Sequence, residues 1–92
     1  MITAIVFVKA DVARIPEVAE EIAALDGVSE VYSVTGQIDL IALVRVREHA
    51  DIATVVADSL NKVEGVLETE THIAFRTYSR HDLESAFSIG LD

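Results

Sequence analysis

Thr35, Gly36, Gln37, Ile38 and Asp39 place a backbone-permissive residue and a carboxylate three positions apart, between two apolar, β-branched runs at 28–34 and 38–46. Glycine takes φ > 0 readily and lets another group approach the main chain closely. The arrangement therefore puts a free-turning backbone and a negative charge at the tip of a hairpin. Asp39 stands where the next strand becomes apolar, so its carboxylate has a specific duty. Two duties fit the residues. One is an Asx-type turn, with the carboxylate accepting N–H bonds inside the hairpin. The other is an anchor for the ammonium of a small ligand whose opposite end meets free N–H groups of the glycine turn.

A second group lies on a later strand. Thr69 and Thr71 suit a β-strand on propensity alone, and they could equally line a pocket against the hairpin. Glu68, Glu70 and His72 alternate with them and share the other face. Carboxylates and an imidazole on one face are possible ligands of a divalent metal. No second histidine is near, however, and such charges are common on solvated faces, so no metal is expected. His49 and His81 have no Ser, Cys or paired carboxylate arranged for nucleophilic work. The four glycines are dispersed and form neither GxGxxG nor a P-loop. No catalytic residue and no cofactor is expected, and the chain reads as a non-enzyme.

Composition narrows the partners. Lys plus Arg number 7 and Asp plus Glu 16, a net charge of −9. Binding to a phosphate backbone rests on clustered basic residues. Here they are scattered, so direct nucleic-acid binding is not expected. The absence of cysteine removes disulfides and thiolate metal sites. No apolar run is long enough for a membrane span. Residues 1–8 lack the basic flank and cleavage site of a signal peptide, so the cytoplasm is the expected compartment. Ninety-two residues make one small domain. Such a domain buries only about 60–65% of the surface exposed by the unfolded chain. Yet 51% of the residues are hydrophobic, and the surplus predicts burial against another copy.

The elements that must position these residues follow from periodicity. Residues 3–8 predict a strand, apolar on both faces. Residues 14–25 predict a helix, with Pro16 in its first turn and Gly27 as its stop. Residues 28–34 and 40–46 predict two strands around the Gly36 turn. The second is apolar at five successive positions, which predicts a central strand covered on both faces. Residues from 49 or 50 to 63 predict a helix with an Ile52, Val55, Val56, Leu60, Val63 stripe. Residues 66–78 predict an alternating strand. Leu25-Asp26-Gly27-Val28 repeats as Val63-Glu64-Gly65-Val66 at an offset of 38. Two β-α-β halves joined by a hairpin make an α+β, ferredoxin-like β-α-β-β-α-β antiparallel sheet with both helices on one face. The other face would carry many apolar residues and suits a dimeric α/β sandwich. Residues 79–92 read as a C-terminal arm, a short helix with Leu83, Ala86 and Phe87 on one side, or a frayed tail.

At this point the residues resemble a family. Val31-Tyr32-Ser33-Val34-Thr35-Gly36-Gln37-Ile38-Asp39-Leu40-Ile41 is similar to the Val-x-x-x-(Thr/Ser)-Gly-x-x-Asp-(Leu/Tyr)-(Leu/Ile) segment of the effector-binding (RAM) domain of the Lrp/AsnC transcriptional regulators. Gly65-Val66-Leu67-Glu68-Thr69-Glu70-Thr71 resembles that domain's second signature, Gly-Val-x-x-Thr-x-Thr. The resemblance covers residues 1–78. It implies dimers with sheets packed face to face, closed rings of four dimers, and amino-acid effectors bound between dimers. Carried over, Thr35, Gly36, Gln37, Ile38 and Asp39 match the effector-contacting hairpin, and Thr69 and Thr71 match the signature beside it. Gln37 and Ile38 depart from the family's more frequent Asp or Asn and Tyr or Phe, and His72 stands where an aromatic or aliphatic residue is usual. Full-length members begin with a helix-turn-helix DNA-binding domain. Here Met1 opens onto the first strand, so the resemblance implies a stand-alone sensing and oligomerisation module acting through DNA-binding relatives. Two other readings share the fold: an ACT-like regulatory domain, and a small cofactor-free dimeric α+β-barrel enzyme. The absence of tryptophan and the aliphatic strand interiors speak against the enzyme.

Overall fold

Alternation of buried and half-buried residues along the strands organises the molecule. Its structure, a computed structural model, describes residues 1–80. Strands β1 (Ile2–Ala10), β2 (Val28–Ser33), β3 (Leu40–Val46) and β4 (Val66–Ile73) form one antiparallel sheet in the order β2-β3-β1-β4. Helix α1 (Ile15–Ala23) follows a 3-10 turn after β1, and helix α2 (His49–Ala53) follows β3. This is the β-α-β-β-α-β arrangement read from the sequence. Ala4, Val6, Val8 and Ala10 of β1 and Leu40, Ala42, Val44 and Val46 of β3 are buried with Val18, Ile22, Ile52, Val55, Val56 and Leu60. One face of the sheet thus carries both helices. The central position of β3 holds, but only one of its faces is covered by the chain itself. Ile41 and Leu43 point to the open face with Ile5 and Phe7, and all four remain half-buried.

The internal repeat is a repeat of hydrogen bonds. Val28 N–H donates to Leu25 O (3.2 Å) and Val66 N–H to Val63 O (3.1 Å). The glycines between them, Gly27 and Gly65, have φ of 91° and 101°. Each faces the helical segment of the other half: a Cβ on Gly27 would lie 2.6 Å from Val55 Cγ2, and one on Gly65 2.6 Å from Val18 Cγ2. A side chain is excluded there both by backbone conformation and by space.

Several boundaries differ from the periodicity. Strand β1 is longer at both ends, because it pairs with β3 as far as Ile2 and with β4 as far as Ala10. Helix α1 is shorter, Ile15–Ala23. Strand β4 stops at Ile73, not 78: its pairing with β1 ends at Ala4 and Ile73, and one further bond, from Ala74 N–H to Thr3 O (2.9 Å), follows. The second helix is not uniform. After Ala53 the chain winds as a π-helix over Thr54–Ser59 and then as a 3-10 turn over Leu60–Lys62. The Leu60 N–H reaches Val55 O as well as Val56 O. This wider turn brings Val55, Val56 and Leu60 to the buried side together. The arm expected over 79–92 lies, from residue 81, outside the described residues. No helix of the described residues is long and apolar enough to cross a membrane.

Candidate functional site

Asp39 sits at the entry to β3 and is bound on three sides. Its N–H donates to Val8 O (3.0 Å), its carbonyl accepts from Val34 N–H (3.0 Å), and its Oδ2 accepts from Ala10 N–H (2.9 Å). The last contact is part-buried and spans 29 residues. The carboxylate is therefore neither an Asx turn inside the hairpin nor a wholly free ammonium anchor. It latches the hairpin to the end of β1. Gly36, at φ 112°, has nothing within 4 Å of where a Cβ would stand, so conformation alone asks for glycine at the exposed tip.

Beside this latch lies an open cleft of about 560 Å³. Gln37 and Ile38 of the hairpin and Thr69 of β4 line it, so the two segments singled out in the sequence do meet. Thr35, Gly36 and Asp39 are not among its walls. Thr71 pairs with Val6 and Thr69 with Val8, so both side chains face the helix side of the sheet, and Thr69 borders the cleft only through its place on the strand between Glu68 and Glu70. The Thr69 hydroxyl donates to Asn61 Oδ1 (2.8 Å). The remaining walls are Phe7, Lys9, Glu68 and Glu70. Phe7 and Lys9 carried no sequence signal of their own. The antiparallel register brings them in, setting Lys9 opposite Glu68 and Phe7 opposite Glu70. Both charges of a zwitterion thus have a counterpart around a partly apolar floor.

His72 is engaged at the same edge. Its Nε2 lies 2.8 Å from Glu70 Oε2, and its ring lies 5.1 Å from that of Phe7 at 52°. Among the described residues no group of three or more His, Cys, Asp or Glu could hold a metal ion. His49 is exposed at the start of α2, and His81 lies outside the described residues. A larger groove, about 660 Å³, occupies the opposite end of the sheet, among Leu25, Asp26, Val46, Thr54 and Val55. None of the residues singled out as site candidates in the sequence borders it.

A split β-α-β sheet with a latched glycine hairpin beside a two-signed cleft has the architecture of a small-ligand-binding regulatory domain. The chain belongs to the Lrp/AsnC family: the family model for the Lrp/AsnC ligand binding domain matches residues 3–83. It is 43% identical over 61 residues to the uncharacterized HTH-type transcriptional regulator PH1916 of Pyrococcus horikoshii, covering 66% of this chain and 41% of that protein. It is 38% identical over 73 residues to the uncharacterized HTH-type transcriptional regulator PF1734 of Pyrococcus furiosus, covering 79% and 49%. The chain spans less than half the length of these curated relatives. Among solved structures it matches TTHA0845 of Thermus thermophilus with a TM-score of 0.82 at 46% identity, over 87% of this chain and all of that one. Escherichia coli AsnC shares the fold, with a TM-score of 0.78 at 20% identity over 85% of this chain and 53% of that one. Membership decides against the ACT-like and barrel-enzyme readings. The domain is regulatory and non-enzymatic.

Proposed function

We propose that this domain senses a small amino-acid effector in the cleft between the hairpin and β4, and that binding changes its assembly. The observation that carries the reading is the meeting of Gln37 and Ile38 with Glu68 and Glu70, from two segments about thirty residues apart, around Lys9 and Phe7. Lys9 suits an α-carboxylate, the glutamates suit an α-ammonium, and Phe7 with Ile38 suits the carbon skeleton. Asp39 acts by holding the hairpin in place. Thr35, Gly36 and Thr71 act by shaping the turn and the strand edge.

Members of the family are transcriptional regulators that bind small-molecule effectors and oligomerise. The open face beyond the cleft, with Ile5, Ile41 and Leu43, suits a second copy packed sheet to sheet. Dimers of this kind then associate, with four in a ring as the arrangement implied by the resemblance. A ligand held where copies meet stabilises the assembled state by its differential affinity. The output passes, inside the cell, through DNA-binding relatives and not through contact with nucleic acid, given the net charge of −9. Calorimetry against the twenty amino acids, paired with solution mass with and without each, tests the proposal. Heat from at least one of them, accompanied by a mass change, is the expected result. No heat from any of them sinks it.

A further inference from the structure

The cleft carries two carboxylates and one ammonium, and the surplus carboxylate stands beside an aromatic ring. Lys9 is opposite Glu68 across the β1–β4 ladder, whereas Glu70 is opposite Phe7. Directly opposed side chains on one face are within reach of each other, so Lys9 and Glu68 offset one another and Glu70 has no cation opposite it. Lys9 forms no ion pair shorter than 4.0 Å among the described residues and stays available. Only the Oε2 atom of Glu70 is taken, by His72. Glu68 and Glu70, two residues apart on one face of a strand, are spaced by about 7 Å. That spacing matches the reach between the two nitrogens of an α,ω-diamino acid.

Resting on the amino-acid reading above, we propose that the effector has a cationic side chain and belongs to the lysine, ornithine or arginine class. The α-carboxylate meets Lys9 and the α-ammonium meets Glu68. The methylene stem lies along Phe7 and Ile38, as long cationic side chains do on apolar surface. The terminal cation sits between the Phe7 ring and Glu70, where cation–π attraction and a charge-assisted hydrogen bond act on one group. Gln37 closes the remaining wall with a neutral amide and adds no competing charge. An acidic side chain would set carboxylate against Glu70, and an aliphatic one would leave its Oε1, the oxygen not held by His72, without a partner.

Calorimetry on the full chain with lysine, arginine, norleucine and glutamate tests this. Norleucine keeps the lysine stem and removes its terminal ammonium. Lysine or arginine is expected to bind at least about tenfold tighter than norleucine, a factor that corresponds to one charge-assisted contact. Glutamate is expected to give no heat. In Glu70→Gln the preference falls below about threefold while norleucine affinity stays, with solution mass and circular dichroism unchanged. Norleucine binding as tightly as lysine and arginine would overturn the inference and leave amino-acid sensing standing. So would a preference that survives Glu70→Gln. If no amino acid at all gives heat, both readings fall together.

Discussion

The two halves of the sheet share a glycine turn and differ in the elements on either side of it. Ile22 and Leu60, Gly27 and Gly65, and Val28 and Val66 occupy equivalent places at an offset of 38. Ile22 and Leu60 are both fully buried, and the glycine turns close through the same hydrogen bonds. The helices leading into those turns are unlike: α1 is regular, and its counterpart passes through π and 3-10 winding. The outer strands diverge too. On the open face β2 offers Glu30 and Tyr32, and β4 offers Glu68, Glu70 and His72. The shared part is what any chain needs to bring a helix back onto a sheet. The unshared part includes β4, whose Glu68 and Glu70 line the cleft, so the halves diverge where the proposed binding chemistry lies.

That comparison can be broken first at the core. Ile22→Ala and Leu60→Ala are each expected to lower stability by about 2–5 kcal/mol, the usual range for emptying a fully buried aliphatic site. Denaturant unfolding of the two variants side by side measures it. A loss under about 1 kcal/mol at Leu60 alone would show that the π-wound segment yields where α1 does not. Next come the turns. Gly27→Ala and Gly65→Ala combine left-handed strain with a 2.6 Å approach to a valine methyl, and each should lose about 2–3 kcal/mol. Gly36→Ala meets open space and should lose only about 1 kcal/mol. Equal losses at all three would refute the distinction between packing glycines and a conformational one.

A smaller effect separates latch from ligand contact. Asp39→Ala removes the acceptor of Ala10 N–H and should lose about 1–3 kcal/mol, read by thermal melting. Asp39→Asn keeps an oxygen there and should recover most of that loss. The smallest effect sits on β2. The neighbouring Glu30 carboxylate favours the protonated phenol of Tyr32 and raises its pKa above the ordinary 10.0, with desolvation adding to it. The folded chain therefore favours the neutral phenol. The slight stabilisation this gives is present below about pH 10 and fades as pH rises through the raised value. Ultraviolet titration of Tyr32 should show the upward shift, and Glu30→Gln should bring it back.

Local demands were legible in the chain, and non-local ones were not. Glycine at positive φ has few substitutes, so Gly27, Gly36 and Gly65 announce their turns, and the hairpin and the repeat follow. Ile52, Val55, Val56 and Leu60 have spacings that an α-helix satisfies equally well, so nothing in them announces the π winding. Phe7 and Lys9 join the cleft only because β1 and β4 pair in one register. That register contains a bulge between Lys9 and Ala10, which leaves Leu67 outside the Thr69–Thr71 face and 70% exposed. The duty of Asp39 was open for the same reason, since its partner is 29 residues away.

An event at the cleft would be felt at the end of β1. Ala10 N–H is held by Asp39, and the next amide, Asp11 N–H, is held by Gly65 O at 2.8 Å. Two adjacent amides therefore fasten the hairpin and the second glycine turn to the same few atoms. Anything that draws the Asp39 carboxylate away unclasps the first and slackens the second. Hydrogen exchange at Ala10 and Asp11 would then accelerate as a pair, making this short stretch the molecule's own strain gauge.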